Sequence, residues 1–212
     1  KRVKIMLVKE SIELGKISLG NSKMPGTSYA IDAFACNVGS KLALIKGTSC
    51  NSCYARKLQK LRPSVDKGWK KNLAKWNARQ SNQAWVDSMV FQIERYTVGF
   101  HRWFDSGDLQ SLEMLKAIIA VCIATPGIMH WLPTQERALL NKGLSIPSNL
   151  VIRVSGTKVN GSVPKYANTS TVFNKDGVSI GQECLAYTRG NQCGDCRACW
   201  NKDVKNISYN KH

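Results

Sequence analysis

Apolar positions at helical spacing predict two amphipathic helices in the first half of the chain. They recur every three or four residues in two segments, Trp69, Leu73 and Trp76, and then Val86, Val90 and Ile93. This spacing places the apolar side chains on one helical face, which can pack into a core. Pro63 fits the first turn of the first helix, because its missing N–H would have no partner there. Residues 1–35 show no such period, and their glycines indicate irregular or strand-like structure.

The pattern then changes to short apolar runs, which predict strands at residues 98–104, 128–132 and 150–154. Helical patterns separate these runs. Ser111 can cap the helix after the first run, and Gly143 can end a short helix after the second. Alternating strands and helices are typical of right-handed βαβ units on a parallel sheet. We therefore predict an α/β fold, built as a partial (βα) barrel or as an open parallel sheet.

Length and composition favour a single domain with a sizeable core. The chain has 212 residues, of which 43% are hydrophobic, and a core of this size needs no disulfides. Residues 1–62 form an N-terminal segment, and residues 63–156 form the helices and the βα core. Residues 157–212 complete the domain, with a polar connector at 157–183 and a cysteine-rich segment after it.

No apolar run in the sequence reaches the length of a membrane span, so we expect no membrane partner. The N-terminal segment is basic, but its apolar stretch is too short for a signal peptide. Because the sequence does not begin with Met, we expect the chain to have been trimmed or processed. These features predict a cytoplasmic protein.

Positive charge dominates the chain, with 31 basic residues against 14 acidic ones and a net charge of +17. Such an excess is typical of proteins that bind nucleic acid or another polyanion, although it also serves solubility. The densest part is residues 56–79, which we predict to be helical. One face of this helix is a candidate phosphate-binding stripe.

Eight cysteines carry the clearest chemical signal. Their spacing is close, with C-x2-C at 50–53 and C-x2-C-x2-C at 193–199, which suits a metal centre better than disulfide cross-links. Oxidised disulfides are the alternative. Cys122 lies on the apolar face of a predicted helix, and we expect it in the core. His101 and His130 lie inside predicted strands, where a histidine is most simply a core residue.

Seven cysteines are candidate metal ligands: Cys36, Cys50, Cys53, Cys184, Cys193, Cys196 and Cys199. The last four supply enough thiolates for a tetrahedral zinc or a [4Fe–4S] cluster, and the compact run favours the cluster. The first three would leave one metal position open to a small molecule. The alternatives are one cluster shared between the two groups, which would leave some thiols free, and a buried, metal-free Cys36.

Polar residues follow each predicted strand. They are Asp105, Ser106, Gly107 and Asp108 after the first, Thr134, Gln135 and Glu136 after the second, and Ser155 after the third. Because parallel sheets collect function at the carboxyl ends of their strands, these residues are candidate ligand contacts. The simpler explanation is that loops are polar in any protein.

Four motifs occur in a characteristic order: residues 23–29 (KMPGTSY), 47–55 (GTSCNSCYA), 102–108 (RWFDSGD) and 131–134 (WLPT). Together with the cysteine-rich end, they resemble the phage gene product 88 domain family over nearly the whole chain. The resemblance implies a viral or mobile-element origin, and hence the host cytoplasm.

The sequence is also distantly similar to radical S-adenosylmethionine enzymes, through Cys50-x2-Cys53 followed by βαβ units. Those enzymes hold a [4Fe–4S] cluster by three cysteines, and S-adenosylmethionine binds the fourth iron. In this chain thirteen residues separate Cys36 from Cys50, where the enzymes have C-x3-C-x2-C. The resemblance implies that Ser106, Gly107 and Asp108 contact the bound cofactor, and the strand-end positions of Asp105 and Glu136 make them further candidate contacts.

The sequence therefore supports two main hypotheses. The first is an iron–sulfur protein with one or two [4Fe–4S] clusters and an electron donor, either a smaller relative of radical S-adenosylmethionine enzymes or a redox protein. The second is a nucleic-acid-binding protein without catalysis, stabilised by zinc or a cluster, in which Trp69, Trp76 or Trp85 would stack on bases if they are exposed. A cluster enzyme that acts on nucleic acid would combine the two.

Overall fold

One parallel sheet organises the chain in the computed structural model, which describes residues 7–211. Its seven strands are β1 (Thr27–Tyr29), β2 (Phe100–Trp103), β3 (Met129–Thr134), β4 (Leu150–Val159), β5 (Thr169–Phe173), β6 (Gln182–Cys184) and β7 (Asn206–Asn210). They lie in the order β1–β2–β3–β4–β5–β7–β6, and every neighbouring pair is parallel. The predicted α/β fold with an open parallel sheet is confirmed.

Seven α-helices accompany the strands among the described residues, and the segment 56–79, predicted to be one helix, is divided between two of them. They are α1 (Val8–Ile12), α2 (Asn37–Leu42), α3 (Tyr54–Leu61), α4 (Pro63–Asn77), α5 (Asn82–Tyr96), α6 (Leu112–Ala124) and α7 (Arg137–Leu140). Pro63 opens α4, as predicted. Ser111 caps α6 through its Oγ, which accepts a hydrogen bond from the Met114 amide at 3.2 Å. Among the described residues, no helix is both long and apolar enough to cross a membrane.

Several sequence predictions were wrong. Ser155 does not follow the third predicted strand but lies inside β4, which extends to Val159. Residues 157–183 are not a plain connector, because they contain the end of β4, all of β5 and the start of β6. The segment 7–35 contains a helix, α1, whose five residues are too few for a helical period to be visible. Residues 1–6, which include part of the basic N-terminal segment, lie outside the described residues.

Helices α4, α5 and α6 cover one face of strands β1 to β3 and form the main core. Trp85 is fully buried there, with ring centroids 5.0 Å from Trp76 and 6.0 Å from Trp103. Cys122 and both strand histidines are buried in the structure, as predicted. Because Trp76 and Trp85 are core residues, neither can stack on an exposed base.

The opposite face of the sheet is covered by the cysteine-rich end of the chain. Trp200 packs here, with its ring centroid 5.3 Å from both Phe100 and Trp131, and its Nε1 donates to the His101 carbonyl at 2.9 Å. We call this the inner face. Alternation along β2 places Phe100 and Arg102 on it, while His101 and Trp103 point to the helices.

The sheet curls around this inner face. Arg102 of β2 and Tyr209 of β7 are close enough to interact electrostatically. Four strand spacings separate these two strands, which is about 19 Å in a flat sheet. The segment before β1 also contacts the cysteine-rich end of the chain, since the Cys193 amide donates to the Lys23 carbonyl at 2.8 Å.

Candidate metal and ligand site

Asp108 joins the carboxyl ends of two neighbouring strands. Its Oδ1 accepts hydrogen bonds from Thr134 Oγ1 at 2.6 Å and from the Leu109 amide at 2.8 Å, and its Oδ2 accepts from the Gln135 amide at 2.8 Å. Burial raises the pKa of Asp108 to about 7, and these hydrogen bonds act in the opposite direction. The predicted convergence of polar residues from β2 and β3 is therefore present.

The side chains after β3 anchor the first cysteine-bearing loops. Gln135 Nε2 donates to the Gly156 carbonyl at 3.1 Å and to Ser49 Oγ at 3.3 Å. Glu136 Oε1 accepts from the amide of Val38, in the first turn of α2, at 2.8 Å. The segments that carry Cys36 and Cys50 are thus held over the ends of β3 and β4.

Cys36, Cys50 and Cys53 form the first thiol group, and all three are half-buried. A Cβ added at Gly39 would be in van der Waals contact with both Cys36 Sγ and Cys50 Sγ, each 3.6 Å away, so the two sulfurs lie beside the same turn of α2. Cys53 immediately precedes α3, and its amide bonds the Cys50 carbonyl at 3.2 Å. Burial raises the pKa of Cys50 to about 11 and that of Cys36 further, with nearby Asp108 adding to both shifts.

Cys184, Cys193, Cys196 and Cys199 form the second thiol group, beside the ends of β6 and β7. Cys199 Sγ lies 3.2 Å from the hydroxyl of Tyr209, and burial raises the pKa of Cys199 to about 12. Burial also raises the pKa of Cys193, with Cys184 and Cys196 as its charged neighbours. The sequence-predicted set is thus brought together as two separate groups.

The donor atoms of these groups suit soft metal ions. All eight cysteines are free thiols, so the structure contains none of the disulfides considered as an alternative. Thiolate sulfur is the preferred ligand of zinc and of iron–sulfur clusters. Within residues 7–211, however, no set of three or more His, Cys, Asp or Glu side chains is arranged to hold a metal ion.

Arg102 and Tyr54 lie between the two thiol groups, and sequence reasoning did not select them as site residues. The Arg102 guanidinium lies 4.5 Å from the centroid of the Trp131 ring, and one Nη is 3.5 Å from the Tyr54 hydroxyl. That hydroxyl donates to the Asp105 carbonyl. Alternation along β2 places Arg102 on the inner face, but nothing in the sequence indicates that this side chain lies near both thiol groups.

The predicted ligand contacts after β2 have two different roles: Ser106 and Gly107 fix the shape of the loop, whereas Asp105 keeps one carboxylate oxygen without a partner. Ser106 Oγ donates to the Ile31 carbonyl at 3.1 Å, and Gly107, at φ +82°, packs directly against Ile31. These two residues hold the loop against the segment after β1. Asp105 Oδ2 accepts from Ser28 Oγ at 2.9 Å, whereas its buried Oδ1 has no hydrogen-bond partner.

Fold and site together define an α/β protein with a curled parallel sheet and two thiol groups at its carboxyl edge. Residues 20–202 match the sequence model described as Gene product 88, and the chain belongs to the gene product 88 family. The family resemblance inferred from the four motifs is thereby confirmed. Searches of curated proteins and of solved structures gave no match.

Proposed function

We propose that this chain is an iron–sulfur protein that holds at least one [4Fe–4S] cluster. The observation that carries the proposal is the assembly of seven of the eight cysteines into two groups at one edge of the sheet, while Cys122 lies in the core. Such clusters supply one-electron transfer. Reduced thiols are maintained in the cytoplasm, where we expect the protein to work with an electron donor.

The two groups have different roles in this proposal. Cys184, Cys193, Cys196 and Cys199 supply four thiolates, which complete the ligand set of one cluster. Cys36, Cys50 and Cys53 supply three, which leaves one position for a small molecule. Zinc bound by the four thiolates is the competing assignment, because the same donors suit a tetrahedral ion.

The test is anaerobic purification of the full chain, followed by measurement of iron, sulfide and zinc per chain and of the visible spectrum. About four irons and four sulfides indicate one cluster, and about eight indicate two. Cys50→Ala and Cys196→Ala should each lose the iron of their own group, while the control Cys122→Ala keeps it all. A colourless protein with stoichiometric zinc, even after reconstitution with iron and sulfide, overturns the proposal.

A small-molecule site beside the first group is the second part of the proposal. Asp105 Oδ1 is buried without a partner, so it suits an ammonium group such as that of S-adenosylmethionine. Glu136 and Asp108 are already engaged with backbone amides and serve to hold the thiol-bearing loops. Equilibrium dialysis with the reconstituted protein should show weaker S-adenosylmethionine binding for Asp105→Asn than for the exposed control Asp203→Asn. Equal binding by both variants contradicts this assignment.

Nucleic-acid binding is a second candidate function, favoured by the distribution of charge. Only two Lys–carboxylate ion pairs form among residues 7–211, so most basic side chains carry an uncompensated charge. Several of them are exposed along α3 and α4: Lys57, Lys60, Arg62, Lys67 and Lys71. Phosphate contacts would make binding to a DNA or RNA oligomer fall steeply with salt. Replacing Lys57, Lys60 and Arg62 by Gln should flatten that slope, whereas an unchanged slope argues against this surface.

A further inference from the structure

Arg102 is a cation on the inner face whose N–H groups lack good acceptors. Its buried Nε has no hydrogen-bond partner. The closest Nη contacts are Tyr54 Oη at 3.5 Å and Met24 Sδ at 4.0 Å, both at the outer limit for hydrogen bonds. Arg102 forms neither of the two ion pairs found among the described residues.

Arg102 is half-buried, and a guanidinium taken partly out of water is costly unless its charge is paired. Stacking on Trp131 compensates for part of this cost. The groups that interact electrostatically with Arg102 are Tyr54, Asp105, Tyr209 and two cysteines of the second thiol group, Cys193 and Cys199. The backbone places them together, because the Cys193 amide donates at 2.8 Å to the carbonyl of Lys23, whose neighbour Met24 contacts Arg102. Asp105 is the one carboxylate among these groups, but it forms no ion pair with Arg102, so that the guanidinium faces the cysteines of the second thiol group without a directly bound counter-ion.

We propose that Arg102 is the counter-charge of an anionic cluster held by the second thiol group, and that it sets the reduction potential of that cluster. This inference rests on the proposed iron–sulfur function. Tyr54 directly follows Cys53, so the same guanidinium also lies beside the first thiol group. Arg102 is a positioning residue here, because it acts on the cluster by its charge and provides none of the ligands.

The sign of the effect follows from electrostatics. Reduction would add one negative charge to a cluster, and a cation near the cluster would favour the reduced form. Removing the charge should make reduction harder. Lysine at the same position keeps the charge but loses the planar fork, so that its effect on the potential should be small.

The experiment is a redox titration of the anaerobically reconstituted full chain, monitored by electron paramagnetic resonance. The Cys50→Ala background isolates the second thiol group. In that background Arg102→Gln should lower the reduced-to-oxidised ratio at a given potential about tenfold, which corresponds to ~59 mV for one electron. Arg102→Lys and the exposed control Arg95→Gln should both titrate like the parent.

Each outcome of this titration tests whether the charge of Arg102 sets the reduction potential of the cluster. Equal potentials for Arg102→Gln and the parent overturn the inference. If Arg102→Gln retains no iron, Arg102→Lys decides: a parent-like potential supports a role for charge, and loss of iron from both variants overturns it in favour of a steric role. An unsubstituted chain that binds no iron refutes the proposed function itself, which is a different result from unchanged potentials in an iron-loaded protein.

Discussion

Asp108 Oδ1 accepts a hydrogen bond from Thr134 Oγ1 at 2.6 Å and thereby ties the loop after β2 to the end of β3. Two backbone amides complete the set of donors to this buried carboxylate. The segment that carries Cys36 packs over the same strand ends. Asp108 therefore supports the candidate site by fixing the loops that follow β2 and β3.

Removing this carboxylate should destabilise the fold. Asp108→Ala leaves three buried donors without an acceptor, and we expect a loss of about 2 kcal/mol or more in the free energy of unfolding. Asp108→Asn keeps one oxygen and should cost less. Urea denaturation measures both, with the exposed Asp87→Asn as a control that should stay within about 0.5 kcal/mol of the unsubstituted chain. An Asp108→Ala variant as stable as this control would contradict the structural role.

Two glycines should respond to alanine in opposite directions. Gly26, at φ +73°, has space for no side chain, because an added Cβ would lie 1.7 Å from the Phe100 carbonyl oxygen. Gly26→Ala should therefore separate β1 from β2 and cost more than about 2 kcal/mol. Gly68, inside α4, has no atom within 4 Å of its added Cβ, and Gly68→Ala should stabilise the helix by up to about 1 kcal/mol. Thermal unfolding of the two variants checks both signs, and a stabilised Gly26→Ala or a destabilised Gly68→Ala would be inconsistent with these contacts.

The sequence predicts β2, β3 and β4 because each is apolar and flanked by polar residues. It does not predict β5, which begins with Thr169, Ser170 and Thr171 and resembles a loop in composition. These side chains are nevertheless buried, and β7 supplies partners for the hydroxyls of Thr169 and Thr171: Thr169 Oγ1 donates to Asn206 Oδ1 at 2.8 Å, and Thr171 Oγ1 lies 2.9 Å from Ser208 Oγ. Such pairing depends on residues almost forty positions away, which hydropathy patterns do not detect.

The sequence likewise predicts part of the candidate site and misses another part. Cysteine spacing identifies the seven thiols and their two groups, and the strand pattern predicts the cluster of polar residues around Asp108. The position of Arg102 between the groups follows from the curl of the sheet and from Trp200, which docks the end of the chain on β2 and β3. Both are tertiary effects, so no local sequence signal could have identified them.

Arg153 should control the docking of the cysteine-rich segment. This fully buried side chain of β4 donates to four carbonyls of that segment at 2.7–3.0 Å, those of Ala198, Cys199, Asn201 and Val204. Arg153→Met leaves these acceptors unpaired and should cost about 3 kcal/mol or more. Lysine lacks the planar fork, so Arg153→Lys should fall between Met and Arg.

Hydrogen exchange followed by mass spectrometry localises this effect. Faster exchange across residues 198–204 in Arg153→Met, with helix α5 unchanged, is the expected result. The exposed Arg95→Met is the matched control and should exchange like the unsubstituted chain. Uniformly faster exchange over the whole chain, or no change at all, would mean that Arg153 does not dock this segment specifically.

His130 should make the fold sensitive to mild acid. The side chain is fully buried beside Trp103, its Nε2 pairs with Thr125 Oγ1 at 2.9 Å, and its Nδ1 has no partner. Burial lowers the pKa of His130 from 6.5 to about 4. The unfolded chain therefore takes up a proton before the folded one does, so this residue has no effect on stability well above pH 6.5 and lowers stability as the pH falls from 6.5 towards 4.

The size of this effect follows from the pKa of His130 in the unfolded chain, 6.5, and in the folded chain, about 4. Each unit of difference between them corresponds to about 1.36 kcal/mol. At pH 5, His130 should lower the free energy of unfolding by about 2 kcal/mol. His130→Gln removes this titration while leaving His101 and the cysteines in place. Between pH 7.5 and pH 5 the unsubstituted chain should therefore lose about 2 kcal/mol more of its unfolding free energy than the variant does. Equal losses in urea titrations of the two proteins would show that His130 is not held neutral by the fold.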